Sequence, residues 1–401
     1  MSGGIAAYKA CELLRRFTES GHDVTVVPTE AALRFVGAPT WAALSGKPVA
    51  TDVWTDVHEV PHVRLGQTAD LVVVAPATAN VLAKAAHGLA DDLLSNTLLT
   101  ARCPVVYAPA MHTEMWEHAA TVANVATLRE RGALVIEPAE GRLTGADSGK
   151  GRLPEPAEIF AIATDLLARV STGGTTTQDL AGRHVVVSAG GTREYLDPVR
   201  FLGNRSSGLQ GYALARTAAA RGAEVTLVAA NVTLADPAGV KVVRVETTEQ
   251  MQAEVVAACQ SADAVVMAAA PADFRPEAPA EAKIKKTDDG SVPGFRLVQT
   301  PDILAGLAHD RPHPGLVVVG FAAETGDSSG TVMDHARAKL ARKGCELLVV
   351  NDVGGGKVFG AEDNEAVVLG ADGDATPVPR GSKSALAQVI WDRVTLLLDE
   401  R

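Results

Sequence analysis

The sequence predicts an α/β protein made of two doubly wound, Rossmann-like domains. Two observations predict this class: apolar runs of strand length alternate with helical periods, and two glycine-rich turns each lead into a helix. The turns are Ser2-Gly3-Gly4 and Gly190-Gly191-Thr192. Because alternating strands and helices form a parallel sheet covered on both faces, we expect ligands at the carboxyl ends of the strands.

The composition favours globular domains that act on small molecules. The chain has 401 residues, 47% of them hydrophobic, which is enough for two or three domains with separate cores. Its formal net charge is -11 at pH 7. This charge argues against a nucleic-acid or membrane-surface role, because such proteins normally present a basic face.

The cysteines and the lengths of the apolar runs indicate a cytoplasmic protein. Cys11, Cys103, Cys259 and Cys345 are scattered and form neither a CxxC pair nor a disulfide framework, which fits a reducing compartment. No apolar run reaches the ~20 residues that span a bilayer, and we see no signal-peptide core at the start.

The first half shows the alternation of strands and helices up to a polar linker. Its predicted helices are Ala6–Ser20, Asp91–Thr100, Glu114–Arg131 and Glu158–Val170. Its predicted strands are Val24–Val27, Leu71–Val74, Val105–Tyr107 and Ala133–Ile136. Residues 171–182 are small and polar without an apolar period, so the predicted domains are 1–170 and 183–401.

The second half repeats segments of the first. SGHDVTVVPT at 20–29 matches RGAEVTLVAA at 221–230, and ADLVVVAPATAN at 69–80 matches ADAVVMAAAPAD at 262–273. Two unrelated βα units also look alike, so duplication and shared patterning both stay open. A βα turn needs a preceding strand, and only Met1 precedes Ser2, so we expect the first sheet as written to lack its first strand.

The first glycine turn favours a mononucleotide over NAD. Ser2, Gly3, Gly4 and Ile5 open a helix whose free backbone N–H groups attract phosphate. The turn lacks GxGxxG, and no acidic residue stands at the strand end after Val27 to hold an adenosine ribose.

Two further segments of the first half join this turn. Ala75–Asn80 ends a strand with small residues and with two side chains, Thr78 and Asn80, that can hydrogen-bond a flat ring. His62 precedes this strand, and PAMHTEMW at 109–116 ends the next one. Alone, Thr78 would be an ordinary helix N-cap and His62 a structural histidine.

Together, SGGIAAYK at 2–9, His62 before APATAN, and PAMHTEMW resemble the flavin-dependent cysteine decarboxylases. In that family, FMN-dependent oxidation of the cysteinyl side chain of phosphopantothenoylcysteine to a thioaldehyde eases loss of the neighbouring carboxylate. The resemblance implies a flavodoxin-like domain in which His62 is the acid/base residue. It also implies FMN contacts from Ser2, Gly3, Gly4, Ile5, Thr29, Thr78 and Asn80.

The chain departs from this family at two positions. The family's usual asparagine in the PxMNxxMW box, which holds the substrate carboxylate, is His112 here; its ring can donate a hydrogen bond or pair with a carboxylate. The family's flap cysteine corresponds to Thr144 or Gly145 in LTGADSGKGRL at 143–153. Because an alcohol is a far weaker acid than a thiol of pKa about 8.5, Asp147, water or a neighbouring group stay open as the proton source.

Lysines mark a second site in the second half. Lys283, Lys285 and Lys286 follow the predicted strand-end turn 270–275, and Lys339 and Lys343 share one helix face. A lysine cluster is usually a solvated surface, but this position suits a cover over nucleotide phosphates.

The second half resembles the phosphopantothenate cysteine ligase domain. The resemblance is carried by AGGTREYLDPVRFLGNRSSG at 189–208, ADFRPE at 272–277, AKIKK at 282–286, TPDIL at 300–304, GFAAET at 320–325, and KLARK at 339–343 before NDV. Such domains use CTP to form an acyl cytidylate of phosphopantothenate, from which cysteine displaces CMP. Mg²⁺ would be bound chiefly through phosphate oxygens and water.

The resemblance also implies residue roles in this domain. Asn204 would contact the acyl cytidylate. The nucleotide would be held by Met267, Ala268, Ala269, Asp273, Lys283, Pro301, Asp302, Ile303, Leu304, Phe321, Lys339 and Lys343.

The order of the domains is similar to that of the bacterial bifunctional enzymes of coenzyme A synthesis. The implied substrates are 4'-phosphopantothenate, cysteine and CTP. Trimeric first domains and dimeric second domains would close a homo-oligomer into a dodecamer. Two alternatives stay open, a flavin-binding regulatory protein and a two-domain NAD(P) oxidoreductase, and released yellow FMN would exclude the latter.

Overall fold

The computed structural model describes residues 1–49, 60–143, 147–171, 178–285, 294–324, 331–352 and 363–401. The chain divides into two units, one of Met1–Gln178 with Pro237–Gly239 and the other of Asp179–Asp236 with Val240–Arg401. Residues 172–177 of the predicted linker lie outside the described residues. In the described part of the chain, no helix has the length and apolar character needed to cross a membrane.

The first unit alternates helices with short strands. Its helices are α1 (Ala7–Glu19), α2 (Glu30–Leu33), α3 (Ala38–Ser45), α4 (Pro61–Thr68), α5 (Ala79–His87), α6 (Leu93–Thr100), α7 (Thr113–Glu117), α8 (Ala119–Glu130) and α9 (Pro156–Ser171). Its strands are β1 (Val72–Ala77), β2 (Val105–Pro109), β3 (Leu134–Val135), β4 (Ala139–Arg142) and β5 (Ser148–Arg152).

The described sheet of the first unit is parallel, in the order β1-β2-β3. Val74 and Tyr107 are buried in a cluster that also contains Leu82 of α5 and Leu128 of α8. Helices therefore cover the sheet, as the alternation predicts. Strands β4 and β5 form a separate antiparallel hairpin.

Two predicted elements of the first unit are wrong. Val24–Val27 is not a strand of the described sheet, because its backbone pairing is limited to the end of the segment, where the carbonyl of Val27 accepts the Met1 amino group at 2.8 Å. The predicted helix Glu114–Arg131 is two helices. His118 is extended between them, and its ring nitrogen accepts the N–H of Ala120 at 3.2 Å, which caps α8.

The second unit contains the larger sheet. Its strands are β6 (His184–Gly190), β7 (Arg193–Tyr195), β8 (Phe201–Gly203), β9 (Glu224–Ala230), β10 (Val240–Val245), β11 (Ala264–Met267), β12 (Phe274–Pro276), β13 (Leu297–Gln299), β14 (Val317–Glu324), β15 (Leu347–Asp352), β16 (Asp363–Gly370) and β17 (Ala375–Ser382). Its helices are α10 (Leu209–Ala220), α11 (Thr248–Ala258), α12 (Ile303–His309), α13 (Val332–Lys343) and α14 (Lys383–Asp399).

The main sheet has the order β10-β9-β6-β11-β14-β15-β16-β17. Its first six strands are parallel, and β16 and β17 add an antiparallel pair at one edge. The chain runs outward from β6 to β10 and returns to β11 on the other side of β6. The strand order therefore reverses between β6 and β11, which is where doubly wound sheets bind ligands.

Helices cover both faces of this sheet. Val185 and Val187 of β6 share a buried cluster with Tyr212 of α10 and Trp391 of α14. Val186 points to the opposite cluster, which α11, α12 and α13 cover. Because successive strand residues alternate between faces, a strand buried on both sides reads as a continuous apolar run. The predicted α/β class with parallel sheets is confirmed.

A steric prediction concerns the end of β6. Gly190 has φ +84°, and a Cβ there would lie 2.0 Å from the carbonyl oxygen of Ala230, whereas Gly182 has φ +76° and no atom within 4 Å of such a Cβ. We expect Gly190→Ala to lower the free energy of unfolding by roughly 3 kcal/mol or more, since the strand end must shift as well. Gly182→Ala bears only the left-handed backbone cost of about 1–2 kcal/mol. Equal losses in urea denaturation would contradict the steric account.

Candidate functional site

Ser2 fastens the first glycine turn to the end of β1. Its hydroxyl donates to the carbonyl of Pro76 at 2.7 Å and accepts the N–H of Thr78 at 3.0 Å, and its own N–H donates to the same Pro76 carbonyl at 3.2 Å. Only 1% of Ser2 is exposed. The hydroxyl is therefore used to hold the turn in place.

Gly3 and Thr29 bring a second loop to this turn. A Cβ at Gly3 would lie 2.5 Å from the Cβ of Ala31, so only glycine allows the loops to come this close. Thr29 caps α2 with its hydroxyl, and its N–H donates to the carbonyl of Met1 at 3.0 Å. Three of the predicted segments thus meet beside the carboxyl end of β1.

The helices that follow two of these loops begin without side-chain caps. Ala6 precedes α1, and Thr78 precedes α5 without using its hydroxyl as a cap within the described structure. First-turn N–H groups carry partial positive charge and attract anions. A Cβ at Gly4 would meet only Thr78, at 3.7 Å, and both Ile5 and Asn80 are exposed, so a ligand can approach the backbone here.

One ring nitrogen of His62, Nδ1, is buried without a hydrogen-bond partner among the described residues. The backbone is held, because the carbonyl of His62 accepts the hydroxyl of Thr100 on α6 at 2.7 Å. Pro61 at the start of α4 also fixes the backbone just before it. A buried, unpartnered nitrogen is costly without a ligand, which is expected of an acid/base residue.

The β4–β5 hairpin packs directly on the segment that contains His112. The N–H of Met111 donates to the carbonyl of Gly151 at 2.9 Å, and a Cβ at Gly151 would lie 2.2 Å from the Met111 carbonyl oxygen. A Cβ at Gly149 would lie 2.4 Å from the buried hydroxyl of Thr113. His112 remains 45% exposed. The hairpin thus covers the backbone of the 109–116 segment and leaves His112, the residue predicted to hold the substrate carboxylate, accessible.

A backbone hydrogen bond joins the two sides of the β4–β5 hairpin just before its tip. The N–H of Leu143 donates to the carbonyl of Asp147 at 2.8 Å, and Asp147 is exposed. Thr144 and Gly145, the two positions predicted to replace the family's cysteine, lie outside the described residues.

Glu137 ties the hairpin to the rest of the unit. It accepts Lys150 of β5 and Arg129 of α8, each at 2.6 Å. Burial alone would raise the pKa of the Glu137 carboxyl, but the hydrogen bonds from Lys150 and Arg129 outweigh it and hold the pKa below its usual value. Glu137 is therefore ionised at neutral pH and anchors β5 by charge.

In the second unit, residues 269–272 are held in place through their backbone. The N–H of Ala269 donates to the hydroxyl of Ser188 at 3.1 Å, and that of Ala272 donates to Thr192 at 2.9 Å. The carbonyl of Ala272 accepts Thr300 at 2.5 Å. This loop follows β11 at the point where the strand order reverses, and hydrogen bonds within the protein hold the backbone of the predicted nucleotide loop.

Asn204 also forms a hydrogen bond with the backbone of the 269–272 loop. Its Nδ2 donates to the carbonyl of Pro271 at 2.8 Å. Its backbone lies against Gly191, where a Cβ would come within 2.6 Å of the Asn204 carbonyl oxygen. The residue is therefore beside the predicted nucleotide loop. One N–H of its side-chain amide is used by the protein, while the amide also has a second N–H and the Oδ1 oxygen.

Lys343 is paired in this structure. Its ammonium group forms an ion pair with Asp302, and only 15% of its side chain is exposed. Asp302 also caps α12 by accepting the N–H of Ala305 at 3.1 Å. Burial raises the pKa of Asp302, but the hydrogen bonds from Lys343 and Ala305 and the charges of Lys343 and Arg342 together outweigh it and hold the pKa below its usual value.

The other predicted nucleotide residues differ in exposure. Met267 and Ile303 are buried, and Leu304 and Phe321 are half-buried against the sheet clusters, so their apolar parts pack in the core. The residues that are exposed are Asp273, Lys283 and Pro301, and those half-buried are Ala268, Ala269 and Lys339.

Sequence reasoning missed the hydroxyl side chains of this site. Ser188, Thr192, Thr300 and Thr113 each lie at or beside a strand or helix end and contact a predicted site segment. The available signal was a serine or threonine at the end of an apolar run. Among the described residues, no group of three or more histidine, cysteine, aspartate or glutamate side chains could hold a metal ion.

Comparison with known proteins assigns both halves to families. Residues 1–168 match the Flavoprotein family, and residues 180–397 match the DNA/pantothenate metabolism flavoprotein C-terminal domain. The chain is 59% identical over 403 residues to the coenzyme A biosynthesis bifunctional protein CoaBC of Mycobacterium tuberculosis, covering 99% of this chain and 96% of the relative. The chain belongs to the family of coenzyme A biosynthesis bifunctional proteins.

The chain is also similar to a more distant member of this family and to a solved structure. The Bacillus subtilis protein of the same name is 41% identical over 401 residues, covering 99% of this chain and 96% of its own. The crystal structure of the C-terminal domain of a CoaBC protein is 32% identical and covers 56% of this chain and 100% of its own, with a TM-score of 0.47. The predicted resemblance to the bifunctional coenzyme A enzymes is confirmed, and the first unit is a flavoprotein domain.

The ion pairs of Glu137 predict a pH-dependent stability. We expect Glu137→Gln to lower the free energy of unfolding by about 1–3 kcal/mol at neutral pH, because both cations lose the negative charge and one of them loses its acceptor oxygen. Because the folded pKa lies below the unfolded value of about 4.3, this stabilisation is present above that value and lost as the pH falls through the folded pKa. Urea denaturation across this range measures it, with Glu140→Gln in the same hairpin as control. A penalty independent of pH would contradict the assignment.

Proposed function

We propose that this chain carries out two consecutive steps of coenzyme A synthesis. The second domain joins 4'-phosphopantothenate to cysteine with CTP, and the first decarboxylates the product with FMN to give 4'-phosphopantetheine. The observation that carries the proposal is the full-length similarity to bifunctional relatives, which spans both domains at 59% identity. A flavin-binding regulator does not account for the second domain, and an NAD(P) oxidoreductase does not account for the Flavoprotein family match.

The first unit fits FMN at the edge where its loops meet. The turn after Ser2 and the loop ending in Thr78 are fastened together, and both lead into helices without side-chain caps, which suits a phosphate. We propose that this edge holds FMN through Ser2, Gly3, Gly4, Ile5, Thr29, Thr78 and Asn80. FMN, when bound, would supply a reversible two-electron exchange, because the electrons taken from the cysteinyl side chain to ease loss of the carboxylate return to the product after CO₂ has left.

We propose different roles for His62 and His112 in this site. The unpartnered Nδ1 of His62 supports a proton exchange between this ring and the substrate. His112 stands half-exposed at the start of α7, where its ring can hold the carboxylate before it leaves. A proton must also return to the substrate carbon after CO₂ departs; Asp147 at the base of the hairpin tip, Thr144 and water are the proposed sources.

The ligase reaction needs positive charge and positioning. A carboxylate oxygen of phosphopantothenate attacks the α-phosphorus of CTP, and the bond to the β-phosphate breaks to release pyrophosphate. The cysteine amine then attacks the acyl carbon, CMP leaves, and the amine loses a proton. We propose that Lys283, Lys339 and Lys343 offset the triphosphate charge, which is the main requirement of phosphoryl chemistry.

The loop after β11 supports a nucleotide site in this scheme. Its contacts with Ser188, Thr192 and Asn204 keep Met267, Ala268, Ala269 and Asp273 in one arrangement. We propose that Pro301, Asp302, Ile303, Leu304 and Phe321 complete the nucleotide site and that Asn204 holds the acyl cytidylate. We propose that Mg²⁺ is bound chiefly through the oxygens of the triphosphate and water, and no step is assigned to it. Assembly into a dodecamer stays a prediction.

The direct test is incubation of the purified full chain with 4'-phosphopantothenate, cysteine and CTP, following pyrophosphate and CO₂ separately. Pyrophosphate is expected in the presence of CTP, and CO₂ is expected only from protein that releases FMN on denaturation. A yellow protein that forms neither product would overturn the proposal.

His62 is expected to matter for only one of the two reactions. His62→Asn should retain the yellow colour and pyrophosphate release while CO₂ release falls at least about 10²-fold, the usual loss when a general acid/base group is removed. His87→Asn, an exposed histidine at the end of α5, is the matched control and should release CO₂ normally. Appreciable CO₂ from the purified His62 variant would remove this residue from the mechanism.

Lys283 is expected to matter for the other reaction. Lys283→Gln should reduce pyrophosphate release about 10²-fold by removing a charge that stabilises the transition state, and it should leave decarboxylation of supplied phosphopantothenoylcysteine intact. Lys285→Gln makes the same change in net charge two residues away and should cost less. Equal losses would mean that the segment acts through net charge and that Lys283 has no specific role.

A further inference from the structure

A buried aspartate organises a turn beside the nucleotide loop. One oxygen of Asp197 accepts the backbone N–H groups of Val199 and Arg200, each at 2.8 Å. The N–H of Leu196 donates to the carbonyl of Arg200 at 2.8 Å and closes the turn. The side chain of Asp197 is 0% exposed, so these bonds are shielded from water. An Asp followed by Pro198 is a common way to begin such a turn.

The second oxygen of Asp197 reaches the lysine segment. It accepts the N–H of Ile284 at 3.1 Å and the Nε of Arg200 at 2.9 Å, while the Arg200 guanidinium donates to the carbonyl of Ile284 at 2.7 Å. The Arg200 guanidinium holds the pKa of the Asp197 carboxyl well below its usual range, so both oxygens accept at neutral pH. Both backbone polar groups of Ile284 are therefore occupied.

A second contact fixes the same segment four residues earlier. The N–H of Ala280 donates to the carbonyl of Leu196 at 2.9 Å. Lys283 lies between this contact and Ile284, and its side chain is exposed. The backbone that carries Lys283 is thus attached to the 196–200 turn at both ends, while the ammonium group stays free to reach solvent or a ligand.

We propose that Asp197 is a positioning residue for the first ligase half-reaction, acting through the backbone of Ile284 to hold Lys283 where the triphosphate is bound. A lysine side chain loses up to about 2 kcal/mol of rotamer entropy when it is fixed, and a mobile backbone would add to that cost. The Asp197–Arg200 pair has no net charge, so it does not cancel the charge of Lys283. The inference rests on the proposed role of Lys283 in pyrophosphate release.

The test compares pyrophosphate release by the full chain and its variants. Asp197→Asn should lower the rate roughly tenfold, the equivalent of one hydrogen bond to a charged group. In a chain that already carries Lys283→Gln, the same substitution should lower the rate by less than about twofold, because residues that act in series are not additive. Ile284→Pro removes the N–H while leaving the 196–200 turn intact, and it should behave in the same way.

A direct readout of position accompanies the kinetics. Hydrogen exchange of the peptide 278–285 should be faster in Asp197→Asn than in the parent chain. Asp263→Asn is the matched control, since Asp263 accepts the N–H of His184 at 2.8 Å and pairs with Arg183 at the amino ends of β6 and β11, opposite to the strand ends that carry the proposed site. It should change neither exchange of this peptide nor pyrophosphate release.

The outcomes separate the inference from the function on which it rests. If Lys283→Gln releases pyrophosphate normally, the role of Lys283 fails, and this inference fails with it. If Lys283→Gln is impaired but Asp197→Asn is harmless, or its loss multiplies with that of Lys283→Gln, only the inference is overturned. Unchanged exchange of the peptide in Asp197→Asn would overturn it as well.

Discussion

The second site depends on how closely backbones approach at the end of β6. A Cβ at Gly190 would overlap the carbonyl oxygen of Ala230, and one at Gly191 would overlap that of Asn204. The two glycines let the neighbouring strand end and the 204 loop close on β6 without an intervening side chain. Asn204 can then reach the loop after β11. The close packing at the predicted ligand-binding end of β6 thus depends on two residues that have no Cβ.

Several polar side chains around that end of β6 form hydrogen bonds with the protein backbone. Ser188, Thr192 and Asn204 each bond a backbone group of the 269–272 loop, and Ser2 has the same duty in the first unit. Each such bond satisfies a group that would otherwise be unpaired in a partly buried loop.

The sequence was sufficient for the class of fold, because that class follows from local patterns of apolar residues, glycines and strand ends. It was insufficient where contacts are distant along the chain. Ser2 bonds Pro76 across 74 positions, Asn204 bonds Pro271 across 67, and Asp197 bonds Ile284 across 87. The prediction of a strand at Val24–Val27 was wrong for a related reason. Apolar character predicts burial, but a strand also requires a neighbouring strand to pair with.

The outer strand β17 limits how the large sheet can grow. It ends the strand order and contains Pro377 and Pro379, neither of which has a backbone N–H to donate. A further strand from another molecule would find an interrupted row of donors along this edge. At the other end of the sheet, β10 carries Lys241 and Arg244, whose charges disfavour close stacking of a second edge. Both borders of the sheet thus oppose unintended strand addition, which protects a wide, apolar sheet from aggregation.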